Sequence, residues 1–345
     1  MFFVRPVARD DLPAVLALTE RTGDGLTTLP ADRQRLAARI ERSVASFAGT
    51  APPGAASYVF VLVEAPARVV GIAAIEAAVG LTEPWYNYRV GTLVHASPKL
   101  GVYTIAPTLF LGNDHTGHTE LCSLFIDQAF RHARNGPLLA KSRLLFIAEF
   151  ADRFTEKVIA ELRGRIGPDG RSPFWEGLGR HFFAMEYRTA DYLTGIGEKS
   201  FVAELMPRHP IYVKLLPPAA QEVIGQVHDD TRAARAMLEQ EGFRYEGYVD
   251  IFDAGPTVEC FRDNVHAIRQ SRVLPVTLDE DTPGDEPGEA IPWLVSNRRF
   301  AGFRTVIAPA APRVARFPLA PWLADALGVT ADDSVRAVPL AIRDR

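Results

Sequence analysis

Apolar and polar residues alternate or recur along this chain in a way that predicts a mixed α+β fold. Residues 2–7 read as a strand. Asp10 or Asp11 then caps a helix running to about residue 22, with Leu12, Val15, Leu16 and Leu18 on its apolar side and Gly23 and Gly25 breaking it. Leu36, Ile40, Val44 and Phe47 recur at helical spacing and predict a second helix over 31–47. Residues 58–64 and 68–78 form an apolar hairpin around a short Ala-Pro-Ala turn. Residues 79–119 are rich in Gly, Pro, Tyr and His, with strand-like pieces at 89–95 and 108–111, a kind of segment that is often functional. Strands follow at 120–126 and 157–163, on either side of a helix over 135–150. Residues 201–205 read as strand-like, 229–241 as a well-patterned helix and 245–252 as a strand. The last 55 or so residues hold short strands and turns, with 327–340 shaped like a turn feeding a barrel strand.

The chain has 345 residues, more than one typical core uses. The division expected is a main domain over 1–272, an acidic Pro/Gly linker or loop over 273–290, and a small β-rich C-terminal domain over 291–345. A net charge of −4 gives no general attraction for nucleic acid or anionic membrane. Cys122 and Cys260 are the only cysteines, both in strand-like apolar runs, so each is read as a buried small hydrophobe in a reducing cytoplasm. No signal peptide is evident, and no apolar run reaches the roughly 18 residues of a membrane span. The expectation is a soluble, cytoplasmic chain.

The most informative chemistry lies between residues 121 and 143. An apolar strand, LCSLFI, leads through DQAFRHARNGP into a helix. Such a strand–loop–helix aims backbone N–H groups and a helix dipole at one point, which favours an anion such as a pyrophosphate. Arg131 and Arg134 add charge that pairs with phosphate oxygens. A strand–turn–helix with two arginines is also common as plain architecture.

The spacing Arg131-x-x-Arg134-x-Gly136 resembles the R/Q-x-x-G-x-G/A acyl-CoA loop of the GCN5-related N-acetyltransferases (GNAT), with Arg134 in place of the first glycine. A later helix of that superfamily is matched by Thr231-x-x-Ala234-x-x-Met237-Leu238-x-x-x-Gly242-Phe243, where Leu238 stands at the position of a proton-donating tyrosine. Phe174-Trp175-x-x-x-Gly179 is a rival for the same helix. Longer strings narrow the resemblance: TGDGLTTLP at 22–30, PWYNYRVGTLVHAS at 84–97, NDHTG at 113–117, AELMP at 203–207, HPIY at 209–212, IGQVH at 224–228 and DIFD at 250–253. In order and over about residues 2–271, they resemble arginine N-succinyltransferases.

That resemblance implies a GNAT-like mixed sheet flanked by helices, with insertions, plus a small C-terminal β-barrel-like domain. It implies succinyl transfer from succinyl-CoA, a co-substrate and not a tightly bound cofactor, to the α-amine of arginine, with ornithine as the alternative acceptor, in arginine catabolism. A homo- or hetero-oligomer with a similar subunit is implied as well. By motif, Leu124 matches the family's succinyl-CoA contact and His228 its proton donor. Arg131, Arg134, Asn135 and Gly136 form the coenzyme loop.

From the residues alone, His228 fits a helix cap or packed loop histidine as readily as an acid–base group. Arginine as acceptor needs a carboxylate for its guanidinium; Glu120, Glu204, Asp250 and Asp253 are candidates, and Glu120 is preferred. The succinyl carboxylate needs a cation, for which Arg89 is the candidate. His115 and His118 lack a clear further ligand, so no metal is expected. The competing functional readings are a non-catalytic or regulatory partner subunit, suggested by Arg134 and Leu238, and an acyltransferase of the same fold for another amine.

Overall fold

The computed structural model describes residues 1–21, 31–132, 134–195, 200–279, 290–311 and 314–341. The string at 22–30 and residues 280–289 of the expected linker lie outside them, while 273–278 of that linker form part of a strand.

The chain begins with β1 (Phe2–Pro6), α1 (Leu12–Thr19) and α2 (Arg33–Phe47). Asp32 caps α2 by accepting a hydrogen bond from the Arg35 N–H at 2.8 Å. Leu36, Ile40 and Phe47 put the helix's apolar stripe on the sheet. Two almost wholly buried strands follow, β2 (Ser57–Glu64) and β3 (Arg68–Glu76). The difficult region resolves into a long hairpin, β4 (Asn87–Ser97) and β5 (Val102–Gly112), paired along its whole length. Next come β6 (Thr119–Ile126), α3 (Asn135–Glu149) and β7 (Lys157–Glu161).

An insertion then builds its own core. A π-helical turn at Trp175–Gly179 runs into α4 (Arg180–Phe183), α5 (Tyr187–Gly195) and α6 (Ser200–Leu205). The strand-like reading of 201–205 is corrected here. Val202 and Met206, one helical turn apart, are both buried in the insertion's core with Trp175, Phe183 and Tyr187, so tertiary packing overrides the local strand pattern. β8 (Ile211–Tyr212) and α7 (Pro218–Val223) lead to α8 (Arg232–Gln240), β9 (Arg244–Val249), β10 (Pro256–Phe261) and α9 (His266–Gln270). The C-terminal part comprises β11 (Arg272–Leu278), β12 (Ile291–Ser296), β13 (Thr305–Ala310), β14 (Phe317–Leu319), α10 (Pro321–Leu327) and β15 (Ser334–Pro339).

Among the described residues the strands form one sheet in the order β14-β11-β15-β12-β13-β1-β2-β3-β6-β7-β10-β9-β4-β5-β8. The run from β1 to β9, with helices on both faces, is the mixed sheet expected from the sequence. The C-terminal strands have a separate core of Trp293, Val306, Phe317, Leu323 and Leu327. They do not close into a barrel: β13 hands over to β1, where Val4 stands opposite Thr305. Of the two candidates for the helix after β7, α8 is the one that feeds β9, with Gly242 at φ +103° making the turn. The segment at 174–179 belongs to the insertion.

α3 is buried on nearly every side because it lies between the central strands and the C-terminal unit. Phe146 sits at the centre of this contact. Its ring lies 5.0–5.6 Å from Phe47, Tyr58, Phe60, Phe300 and Phe303. Phe146→Ala is therefore expected to cost about 3–5 kcal/mol, read as a fall in the urea midpoint. A change within about 0.5 kcal/mol would show that this cluster does not join the two parts.

Candidate active site

The site exists because two neighbouring parallel strands part company. β6 and β7 pair only at Thr119–Val158 and Glu120–Ile159. Beyond that the strands diverge, and residues 121–125 face residues 160–163 across a cavity of about 250 Å³. α8 closes one side through Thr231, Ala234, Met237 and Leu238, and the insertion closes another through Tyr187, Asp191 and Thr194.

At the cavity, β6 carries a bulge. Cys122 stands opposite Ala74 and Phe125 opposite Ile72, so β6 has one residue more than β3 across this step. Ser123 takes φ +56° to accommodate it. Ser123 and Leu124 thus fall outside the ladder with β3, and Leu124 lines the cavity with its peptide turned out of the regular pairing. A strand peptide released in this way is suited to hold an extended pantetheine arm or polarise a carbonyl.

The coenzyme loop follows. Arg134 occupies the left-handed region at φ +66°, a conformation that glycine adopts freely and other residues seldom do. Asn135 is buried, and its side-chain amide donates to the Phe130 carbonyl at 3.0 Å, which closes the loop from inside. A Cβ added at Gly136 would meet nothing within 4 Å, so the helix start is open on that side. Arg131 lines the cavity, with its Nε donating to the Ile126 carbonyl at 3.0 Å. Arg134 is exposed beside the same helix N-terminus. Cationic side chains and the positive end of the helix dipole therefore converge where a pyrophosphate would lie.

Of the sequence candidates, Glu120, Leu124, Arg131, Asp250 and Asp253 line the cavity. Arg89 lies in a different hollow with Lys157, Arg244, Tyr248 and Glu259, and Glu204 lines neither. His228 is not itself a lining residue. Its backbone N–H donates to the Arg163 carbonyl at 2.8 Å, at the end of β7, and its neighbours Asp230 and Thr231 form the rim. Its Nδ1 accepts from the Asp230 N–H at 3.2 Å, which places the ring's proton on Nε2. The ring is about a quarter exposed.

Among the lining residues that the sequence reading did not single out are Arg143, Glu161, Arg163, Tyr187 and Asp191. Only Arg143 left a visible signal, as a charge inside the apolar run LLAKSRLLFI. Asp250 accepts from the Phe252 and Asp253 N–H groups, and Asp253 from those of Gly164 and Gly255. Burial, reinforced by the neighbouring Asp253, holds the Asp250 carboxyl well above its ordinary range; burial also raises Asp253, against the pull of its backbone donors. This wall gains from an arriving cation. Burial pushes the Cys122 thiol up to about 12, which rules it out as a nucleophile near neutrality.

His115 and His118 lie outside the cavity, with Nδ1 atoms 3.2 Å apart. Among the described residues, no group of three or more His, Cys, Asp or Glu is placed to hold a metal. His115 is 1% exposed between Trp85 and Tyr248, and burial lowers its pKa to about 4. A histidine depressed in the folded state contributes stability above its unfolded pKa of about 6.5 and loses it as pH falls toward about 4. His115→Gln should remove roughly 2–3 kcal/mol of the stability difference between pH 7 and pH 4.5. Equal acid losses in urea titrations of both proteins would contradict this.

None of the described helices is long and apolar enough to cross a membrane. The family model for the arginine N-succinyltransferase beta subunit matches residues 2–267, and that for the C-terminal domain of the same subunit matches 272–339. Proteins named arginine N-succinyltransferase from Enterobacter sp. (strain 638) and Shigella flexneri are 53% and 52% identical, over 100% of this chain and 99% of theirs. The structure of arginine/ornithine succinyltransferase subunit AI from Pseudomonas aeruginosa superposes with a TM-score of 0.90 at 37% identity, covering 99% of both chains. With family models spanning nearly its whole length and relatives above half identity end to end, the chain belongs to the arginine N-succinyltransferase family.

Proposed function

We propose that this protein transfers the succinyl group of succinyl-CoA to the α-amine of arginine, with ornithine as a second acceptor, in the cavity between β6 and β7. The observation that carries the reading is the bulge at Ser123–Leu124, set where the two strands part and directly before the coenzyme loop.

The reaction is aminolysis of a thioester. Arg131, Arg134 and the open helix start at Gly136 hold the coenzyme phosphates, while Asn135 holds the loop in shape. The Leu124 peptide N–H bonds the thioester carbonyl and takes up the charge that develops on its oxygen. The arginine amine, as the free base, attacks that carbon, and the C–S bond breaks as the tetrahedral intermediate collapses; the extra proton on the nitrogen passes to solvent. His228, at the rim beyond β7, takes up a proton from solvent and, in this imidazolium form, gives one to the departing thiolate. This fills the role that Leu238, buried in the cavity wall, cannot take.

The acidic wall binds the acceptor. Glu161 and Asp250 border both the main cavity and an adjoining hollow lined by Pro84, Trp85 and Tyr86. The guanidinium lies against Glu161 and Asp250, with the aromatic residues beside it. Glu120, at the last position where β6 pairs with β7, faces the acceptor's amine end. Residues 1–272 form the catalytic unit, which works in the cytoplasm as part of an oligomer of like subunits.

Purified protein mixed with succinyl-CoA and arginine should release coenzyme A thiol well above the hydrolysis background and yield N-succinylarginine by mass spectrometry. No release with either arginine or ornithine would overturn the proposal.

A further inference from the structure

We propose that Arg143 selects the acyl group by pairing with the terminal carboxylate of the succinyl chain, a role that rests on the succinyl-transfer reading above. Arg143 projects from the third turn of α3 and is 3% exposed, yet it lines the cavity. Its Nε donates to the Ala140 carbonyl at 3.1 Å, and its Nη1 to the carbonyls of Ala74 and Cys122 at 3.2 and 3.1 Å. The guanidinium is thereby fixed beside the residue that opens the bulge, where the thioester is held. Among the described residues no hydrogen bond uses its Nη2, and Arg143 has no ion pair within 4 Å.

A buried cation bonded only to neutral carbonyls is costly, and such groups ordinarily have an anion. The other basic groups nearby are paired or lie on other parts of the wall. Arg39, on the far side of Cys122, pairs with Glu76 at 3.1 Å. Arg131 lies at the coenzyme loop, and Arg163 faces Asp253 and Tyr187 across the cavity, on the acceptor side. Glu120 acts on Arg143 electrostatically, but without contact. Succinyl carries its carboxylate two methylenes beyond the thioester carbonyl. An acyl chain held at Leu124 and turned toward α3 brings that carboxylate to Arg143, where the rigid, planar guanidinium suits it. An uncharged acyl chain of the same length would leave the cation buried and unpaired, which is how a site rejects an isostere lacking the polar group.

The test compares succinyl-CoA with butyryl-CoA, which carries a methyl group in place of the carboxylate, using arginine as acceptor. The wild-type protein is expected to favour succinyl by about 30-fold or more in kcat/KM. In Arg143→Gln the succinyl-to-butyryl ratio should fall at least about 10-fold, and Arg143→Lys should restore part of it. A wild-type ratio near one overturns the proposal without touching the proposed function, because succinyl is still transferred. So does an Arg143→Gln protein that keeps the wild-type ratio. Should Arg143→Gln fail to fold, the wild-type ratio and the Lys variant decide: an unchanged preference in Arg143→Lys, despite a cation with different reach and no planar fork, counts against the assignment. Butyryl transfer with no succinyl transfer defeats the proposed function itself.

Discussion

His228→Asn is expected to lower kcat by about 100-fold or more while leaving thermal stability close to wild type. The choice of asparagine separates the two roles the residue is able to play. His228 caps the short turn before α8 by accepting the Asp230 N–H, and asparagine caps as well as any residue. A histidine that served only as a cap would therefore be replaced with little loss of rate. A proton donor would not, since an amide has no proton to give near neutrality. His228→Ala adds the complementary control: removal of the cap should cost about 1 kcal/mol on top of the lost rate. Nearly wild-type kcat in the asparagine variant would assign His228 to structure and leave thiolate protonation to solvent. It would also favour the partner-subunit reading that Arg134 and Leu238 suggested from sequence.

Glu161→Gln carries the second large effect. Loss of a charged partner for the guanidinium removes about 1.5–3 kcal/mol, so KM for arginine should rise roughly 10- to 100-fold. KM for succinyl-CoA should stay near wild type, because Glu161 lies on β7 and the coenzyme loop follows β6. Parallel changes in both constants would point to a distorted cavity and not to a lost substrate contact. Asp250 is a poorer place for this test. Its Oδ1 accepts from Phe252 and Asp253 N–H groups, so Asp250→Asn disturbs the turn after β9 as well as the charge.

The contrast between His228 and Glu161 also shows what was legible in the sequence. Elements with strong local patterning, such as α2, the β2–β3 hairpin and α3, fall within a few residues of their expected bounds. The loop proposed to hold the coenzyme stands out in the sequence because strand, cationic loop and helix start occupy one short stretch. Arg134, which breaks the glycine pattern, takes a left-handed conformation that glycine adopts freely. The proposed acceptor wall was readable at Asp250 but not at Glu161 or Asp191. Glu161, Asp191 and Asp250 come from β7, the insertion and the turn after β9, and only the sheet order brings them together. A lone carboxylate in each of those segments looks like any surface acid. Arg89 fails in the opposite direction: it follows an aromatic run and looks placed for a ligand, but pairs across to Tyr248 on β9, away from the cavity. The 201–205 segment misleads because a short apolar run does not reveal whether its partners lie at strand or helix spacing.

A structure of the protein with coenzyme A and arginine bound tests the account most directly. The account predicts the sulfur within hydrogen-bonding range of the Leu124 peptide, the α-amine between it and Glu120, the guanidinium against Glu161, and the His228 ring turned toward the sulfur. A coenzyme lying elsewhere than between β6 and β7, or an arginine bound with its guanidinium toward α3, would contradict it.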